Sequence, residues 1–379
     1  MSRLALLMVS SLMVACGGSS SAVEPTAPET PAADGAAPTP DGGSEVDASD
    51  APLTSDYVPP PGDAWETITP AKAGFDASKL DAVSAFVEQS SSTTFLVLHD
   101  GRIVVEKYWV GSTATTLRDI ASAQKSISSL MVGAAVASGA FGLDDTITSM
   151  LGDGWSNGTP ADEAGITVRH ILTMTSGLTA NLEHAAAPGA AWLYNTDAYH
   201  RLDLVLAQKT GKSLQDFTRA ALFDPIGAGA SAWTKRAFQK DAKGVPINAL
   251  DMNARDMARV GLLVARDGRW KDRAVVPSSY LALALAPSQS LNTSYGFLFW
   301  LNGQSNLLVP PSTPKEGMLI PSAPKDLVAA LGAGDQKIYV SRASRLVVVR
   351  QGDAAGGASA ALSGWDDQLW QRIMAARLP

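Results

Sequence analysis

The chain has 379 residues, with 30 Lys and Arg against 37 Asp and Glu for a formal charge of −7, four histidines and a single cysteine, Cys16. One cysteine excludes an intrachain disulfide. The acid surplus is local: ten acids stand between Glu24 and Glu66 and no base between Arg3 and Lys72, so the rest of the chain is near neutral and lacks the basic excess that a nucleic-acid partner requires.

In chain order, Arg3 and the apolar stretch Leu4 to Ala15 predict an export signal over residues 1–15, too short to span a bilayer. Leu12-Met13-Val14-Ala15-Cys16, followed by Gly17, leaves two readings. One is an ordinary signal peptide with an incidental cysteine. In the other the segment resembles a bacterial lipobox, which implies cleavage before Cys16, acyl chains on that residue and a stable membrane anchor in the cell envelope, at the outer membrane or the periplasmic face. Residues 16–62 are Ala, Pro, Ser, Thr, Gly and acids with almost no large apolar side chains, which predicts a disordered tether. Residues 63–379 are then the folded domain.

Asp76 is placed to cap a helix from Ala77 to about Gln89. Thr94–His99 and Arg102–Trp109 flank Asp100-Gly101, a β-hairpin signature. From Ser122 to about Ala286 the patterns are mostly helical, at Val168–Met174, Ala198–Lys209, Leu214–Leu222, Ala254–Arg266 and Ser278–Leu285. Strand patterns return at Tyr295–Leu301, Leu327–Leu331, Lys337–Val340 and Arg345–Arg350, and a helix over Trp365–Ala376 closes the chain. The expected architecture is α+β: one antiparallel sheet built from both ends of the domain, flanked by the first and last helices, with a helical subdomain inserted over about 113–290.

The chemistry concentrates at Ser122-Ala123-Gln124-Lys125, which opens a long apolar helical run. Residues three apart share a helix face, so the Ser122 hydroxyl and the Lys125 amine can meet, beside the free N–H groups of a helix start. That is a nucleophile with a lysine base, provided burial leaves the amine partly neutral. Ser312-Thr313-Pro314-Lys315 and Ser322-Ala323-Pro324-Lys325 share the spacing, but their prolines disfavour the helix.

Three further segments make the pattern specific: Thr167 to Leu178, Trp192-Leu193-Tyr194-Asn195-Thr196-Asp197, and Ala330-Leu331-Gly332-Ala333-Gly334-Asp335-Gln336 with the strand after it. In this order they resemble the serine β-lactamase and penicillin-binding-protein superfamily, in a class C-like branch that includes esterases and 6-aminohexanoate-dimer hydrolases. The resemblance covers roughly residues 64 to 379, with Asn253 to Gly261 and Tyr295-Gly296-Phe297 adding to it. It implies a Ser122 acyl-enzyme with Lys125 as base, Tyr194 relaying protons, Thr196 hydrogen-bonding the lysine and Asn195 structural. An oxyanion hole would join the Ser122 N–H to one on the segment Gly332, Ala333 and Gly334, with Ala333 favoured.

Lys209-Thr210-Gly211 matches the family's third motif literally but falls at a helix end, where Gly211 reads as a stop. At Gly332–Gly334 the family's cation or histidine, which in β-lactamases helps hold a substrate carboxylate, is missing, and Asp335 adds a negative charge. Both favour neutral small-molecule or peptide esters and amides over antibiotics.

The other chemistry-bearing residues read more plainly. His99, His170, His184 and His200 show no ligand spacing, so no metal or other cofactor is expected. No G-x-S-x-G occurs, against an α/β-hydrolase. Arg255, Asp256 and Arg259 read as a salt-bridge set, and the nine tryptophans as packing. Three functions remain: a membrane-tethered ester or amide hydrolase, a D-Ala-D-Ala peptidase or true β-lactamase, and a non-catalytic binding protein on a degenerate scaffold.

Overall fold

A computed structural model describes residues 57–62, 64–355 and 361–379. The export segment, Cys16 and the tether as far as residue 56 lie outside the described residues.

The organising element is a six-stranded antiparallel sheet in the order Arg102–Tyr108, Ser92–His99, Leu346–Gly352, Gln336–Ser341, Val328–Gly332, Trp300–Leu301. Its first hairpin turns at Asp100 (φ 49°) and Gly101 (φ 82°), the pair of positive dihedrals that an Asp-Gly turn supplies. That hairpin pairs directly with the last strand, Val97 opposite Val348, so both ends of the domain share one sheet.

Side chains alternate across a strand, and the neighbours of 338–340 show that both faces are covered. Ile338 and Val340 lie against Gly261 of the helix Ala254–Ala265, while Tyr339 between them meets Trp370 of the helix Gly364–Ala375 edge-on, with 5.7 Å between ring centroids. Gln336–Ser341 and Leu346–Gly352 are consequently buried along their whole lengths. The first helix, Ala77–Glu88, packs beside Gly364–Ala375; its Asp76 cap accepts a hydrogen bond from the Lys79 N–H at 3.0 Å.

The helix Gln124–Ala137 runs through the middle of the body and is buried on nearly every side. Its buried hydroxyls are each partnered: Ser126 donates to the Leu298 carbonyl (2.6 Å), and Ser128 and Ser129 pair with the phenols of Tyr199 (2.8 Å) and Tyr280 (3.0 Å). Hydroxyls satisfied in this way are spared the cost of an unpaired buried group, and they fix the helix rotation.

Four expectations change. The middle of the chain holds a three-stranded sheet of Arg118–Asp119, Pro246–Met252 and Ala232–Lys240, where the patterns read as mostly helical and no strand was named. The outer strand is mostly solvent-exposed, so its sequence lacks the apolar alternation that betrays a strand. Leu214–Leu222 is a helix only as far as Thr218, continuing as a π-helical turn over Arg219–Phe223. Tyr295–Leu301 reduces to a two-residue strand, because Gly296 lies against the Ala284 carbonyl and Leu298 turns with φ 59°.

Residues 57–62, assigned to the tether, are seated on the body. Arg266 donates to the Tyr57 carbonyl (2.7 Å), and Arg259 donates to the carbonyls of Pro59 (3.3 Å), Pro60 (2.7 Å) and Gly62 (3.0 Å). Arg259 therefore clamps this segment, while Arg255 pairs with Glu106 and Asp256 accepts from Ser231.

Gly261 is set by close approach: a Cβ there would lie 2.5 Å from Val347 Cγ1 and 3.0 Å from Ile338 Cγ2. Alanine ordinarily improves a helix interior. Here Gly261→Ala is expected to destabilise the protein by about 1–3 kcal/mol through overpacking, read from denaturant unfolding; an unchanged or raised midpoint would contradict this packing.

Candidate active site

Ser122 lies in a 3-10 turn, Ala121–Ala123, that leads into the helix Gln124–Ala137. The turn is entered through Ala121 at φ 49°, an unusual conformation for a residue with a side chain. Asp119 holds it there, its Oδ1 accepting the Ala121 N–H at 2.8 Å. One helical turn on, Lys125 Nζ lies 3.1 Å from Ser122 Oγ.

Lys125 is only 3% exposed, and its Nζ lies 5.0 Å from the ring centroid of Tyr194 and 4.8 Å from that of Tyr199. Burial disfavours the ammonium and the nearby Arg236 guanidinium repels it, and together they bring its pKa down to about 7 against the pull of Asp203 and Asp197. Asp203, buried and accepting from Asn248 Nδ2 (2.7 Å), is itself pushed up to about 6 by desolvation. The amine is thus titratable near neutrality, as a base must be.

Tyr194 completes the group. Burial raises the pKa of its phenol to about 12 against the opposing influence of the neighbouring Ser122 hydroxyl, so it stays protonated at neutral pH. Asn195 positions it: the side-chain oxygen caps the helix Thr196–Thr210 at the Ala198 N–H (3.0 Å), and its amide donates to the carbonyls of Leu178 (3.1 Å) and Thr179 (2.8 Å). The Tyr194 ring stacks on Trp300 (6.1 Å between centroids) and meets Tyr295 edge-on (6.3 Å).

The opposite wall is the tip of the hairpin joining Val328–Gly332 to Gln336–Ser341. A Cβ on Gly332 would fall 2.2 Å from the Ile120 carbonyl oxygen and 3.1 Å from the Ala123 nitrogen, so only glycine lets this strand meet the Ser122 turn. Ala333 is exposed at the tip. Behind it, the Gly334 carbonyl accepts from Arg350 (2.8 Å) and from Gln336 Nε2 (3.1 Å), which fixes the turn.

Two residues sit differently from expectation. Thr196, the first residue of its helix, makes no hydrogen bond to Lys125; capping falls to Asn195, and the carboxylates acting on the lysine are Asp203 and Asp197. Asp335 points away from the cleft. It is fully buried, ion-paired with Lys337 (2.9 Å), and its Oδ2 accepts the Ala355 N–H (2.8 Å), while Lys337 also pairs with Asp366 (2.8 Å). Its charge is neutralised inside the body and does not act on a substrate in the cleft.

Lys209-Thr210-Gly211 ends a helix with Gly211 at φ 66°. Ser312 and Lys315 belong to an exposed segment with a strand at Thr313–Lys315, and Ser322–Lys325 is a turn region. Sequence reasoning missed Arg236, Asp119, Gln124, Tyr199 and Asp203. A signal existed for the last two: Tyr199 and Asp203 stand one turn apart on the helix that follows Tyr194. None existed for Arg236, which comes from the unforeseen strand. Among the described residues no cluster of three or more His, Cys, Asp or Glu could hold a metal, and no helix is long and apolar enough to cross a membrane.

A family model described as Beta-lactamase matches residues 81–351. Among solved structures, a Bacillus anthracis protein provisionally described as a 6-aminohexanoate-dimer hydrolase superposes with a TM-score of 0.63 at 16% identity, over 85% of this chain and 88% of that one. A provisionally described β-lactamase from Bacteroides dorei gives 0.62 at 16%, over 80% and 99%. A penicillin-binding protein from Bacillus halodurans gives 0.56 at 15%, over 77% and 98%. At such identities the likeness is one of fold. No protein of curated function matches the sequence.

Gly332→Ala is expected to separate the strand from the Ser122 turn and slow Ser122 acylation by about 100-fold, the cost of a misplacement of roughly 1 Å. The rate of labelling by a fluorophosphonate checks this; labelling at the wild-type rate would show that the contact is dispensable.

Proposed function

This chain belongs to the beta-lactamase family, and from that premise we propose that it is a serine hydrolase cleaving neutral esters or amides through a Ser122 acyl-enzyme. The observation that carries the reading is the meeting of a half-buried hydroxyl, a buried amine with a pKa of about 7 and a protonated phenol at one wall of the body.

Neutral Lys125 takes the Ser122 proton as Oγ bonds to the carbonyl carbon. The oxyanion that forms is held by the backbone N–H groups of Ser122 and Ala333. Its collapse breaks the C–O or C–N bond, and Tyr194 gives its proton to the departing oxygen or nitrogen while the Lys125 ammonium returns one to Tyr194. Water then attacks the acyl-enzyme, giving up a proton through the same groups as Ser122 leaves, which restores the site.

A preference for substrates without a carboxylate is supported by the hairpin tip. Gly332, Ala333 and Gly334 offer backbone and one methyl group, and two cations beside the turn are occupied: Lys337 by Asp335 and Asp366, and Arg350 by Ser92 and by carbonyls such as those of Gly334 and Ser90. The likeness of fold to a protein provisionally described as a 6-aminohexanoate-dimer hydrolase, a name that denotes amide cleavage, supports amides among the substrates. A lipid on Cys16 would hold the enzyme at the cell envelope.

Hydrolysis of a short-chain nitrophenyl ester, run beside nitrocefin, tests the proposal. Ser122→Ala and Lys125→Ala are expected to abolish ester turnover, and Tyr194→Phe to lower kcat about 10²–10⁴-fold, the usual worth of a placed proton donor. Nitrocefin turnover without ester turnover would favour the β-lactamase alternative, and near-normal activity in any of the variants would remove that residue's role. Because only the unprotonated amine accepts the serine proton, the rate should rise with pH through about 7 and fall about tenfold per pH unit below it. A flat profile from pH 5 to 8 would exclude Lys125 as the base.

A further inference from the structure

The mechanism leaves Arg236, a charged group at the site, unused. Arg236 stands on the strand Ala232–Lys240, outside every motif, and its guanidinium reaches back to the nucleophile turn. Nε lies 2.8 Å from Asp119 Oδ2 and Nη2 lies 2.9 Å from Oδ1, a two-point fork. Nη2 also donates to Gln124 Oε1 at 3.2 Å. Asp119 is the residue that fixes left-handed Ala121, and Gln124 stands between Ser122 and Lys125, its amide donating to the Asn248 carbonyl (3.1 Å) and the Tyr199 phenol (3.5 Å).

We propose that Arg236 is a positioning residue of this site, its fork holding the turn that presents Ser122 and its fixed positive charge facing Lys125. The inference rests on the hydrolase reading for its purpose but makes a separate physical claim. The groups facing Lys125 are Ser122 on its own turn; Tyr194, Asp197, Tyr199, His200 and Asp203 from the capped helix and the residue preceding its cap; and Arg236 from the strand, with Lys235 beside it. Asp197 and Asp203 favour the ammonium, and Arg236 opposes them. A flexible lysine at 236 would keep the charge and lose the fork.

The test is the titration of Lys125 in the full chain, followed by NMR with lysine labelled at Cε and assigned by Lys125→Ala. Arg236→Gln is expected to raise the Lys125 midpoint by roughly one pH unit, the effect of removing a nearby partly screened charge. Arg236→Lys should stay near the wild-type value. Asp119→Asn, which leaves the guanidinium unbalanced, should lower the midpoint and so supplies an independent variant of opposite sign. Midpoints that coincide in the wild type, Arg236→Gln and Asp119→Asn would overturn the inference. The two readings fail separately. A wild type that resists a fluorophosphonate yet shows these shifts defeats the hydrolase reading alone, whereas unmoved midpoints in a protein that labels at Ser122 defeat only the role of Arg236.

Discussion

Lys125 carries an amine into a place with almost no water, between two tyrosine rings and 3.1 Å from a serine hydroxyl. A charged ammonium is costly there, and the cost is what makes the group useful: the proton that burial makes hard to keep leaves a base at neutral pH. Arg236 adds to the penalty, and Asp203 and Asp197 offset part of it. Without burial the amine would stay charged near its ordinary value, and neither the hydroxyl nor the phenol would have a partner able to take a proton.

The architecture brings separate parts of the chain to that amine. The central helix and the turn that leads into it supply amine and hydroxyl, a capped helix start supplies the phenol, and the sheet supplies a hairpin whose Gly332 touches the Ser122 turn. The hairpin is stiffened from inside by Arg350 on the Gly334 carbonyl and by the buried set Asp335, Lys337 and Asp366, which the Tyr339 phenol joins. Such buried ion sets add little stability over apolar packing of equal volume. Their contribution here is to hold a backbone turn in one conformation, the rigidity that the proposed oxyanion hole would require.

Much of the fold and the site was legible because the relevant residues sit in local patterns. The Asp-Gly turn, the Asp76 cap and the Gly211 stop each act within a few residues, and the Ser122–Lys125 spacing is a property of one helical turn. The both-ends sheet followed from strand patterns at the two extremes, and the family resemblance assigned Tyr194 and Gly332–Gly334 to one site. What escaped depends on distant partners. Arg236 lies 112 residues from Gln124 and its strand is polar and exposed. Asp335 looked like a charge added to the cleft, because nothing near it in sequence tells that Asp366, far along the chain, shares Lys337 with it. Residues 57–62 have the composition of the tether before them, yet their carbonyls are taken by arginines some two hundred residues away.

The central claim, that Ser122 becomes covalently acylated, is tested most directly by intact-mass spectrometry of the protein quenched in acid during turnover of a nitrophenyl ester. The expected result is a mass gain equal to one acyl group, mapped to the peptide containing Ser122 and lost in Ser122→Ala. Ester hydrolysis with no adduct, or an adduct that persists in Ser122→Ala, would contradict it.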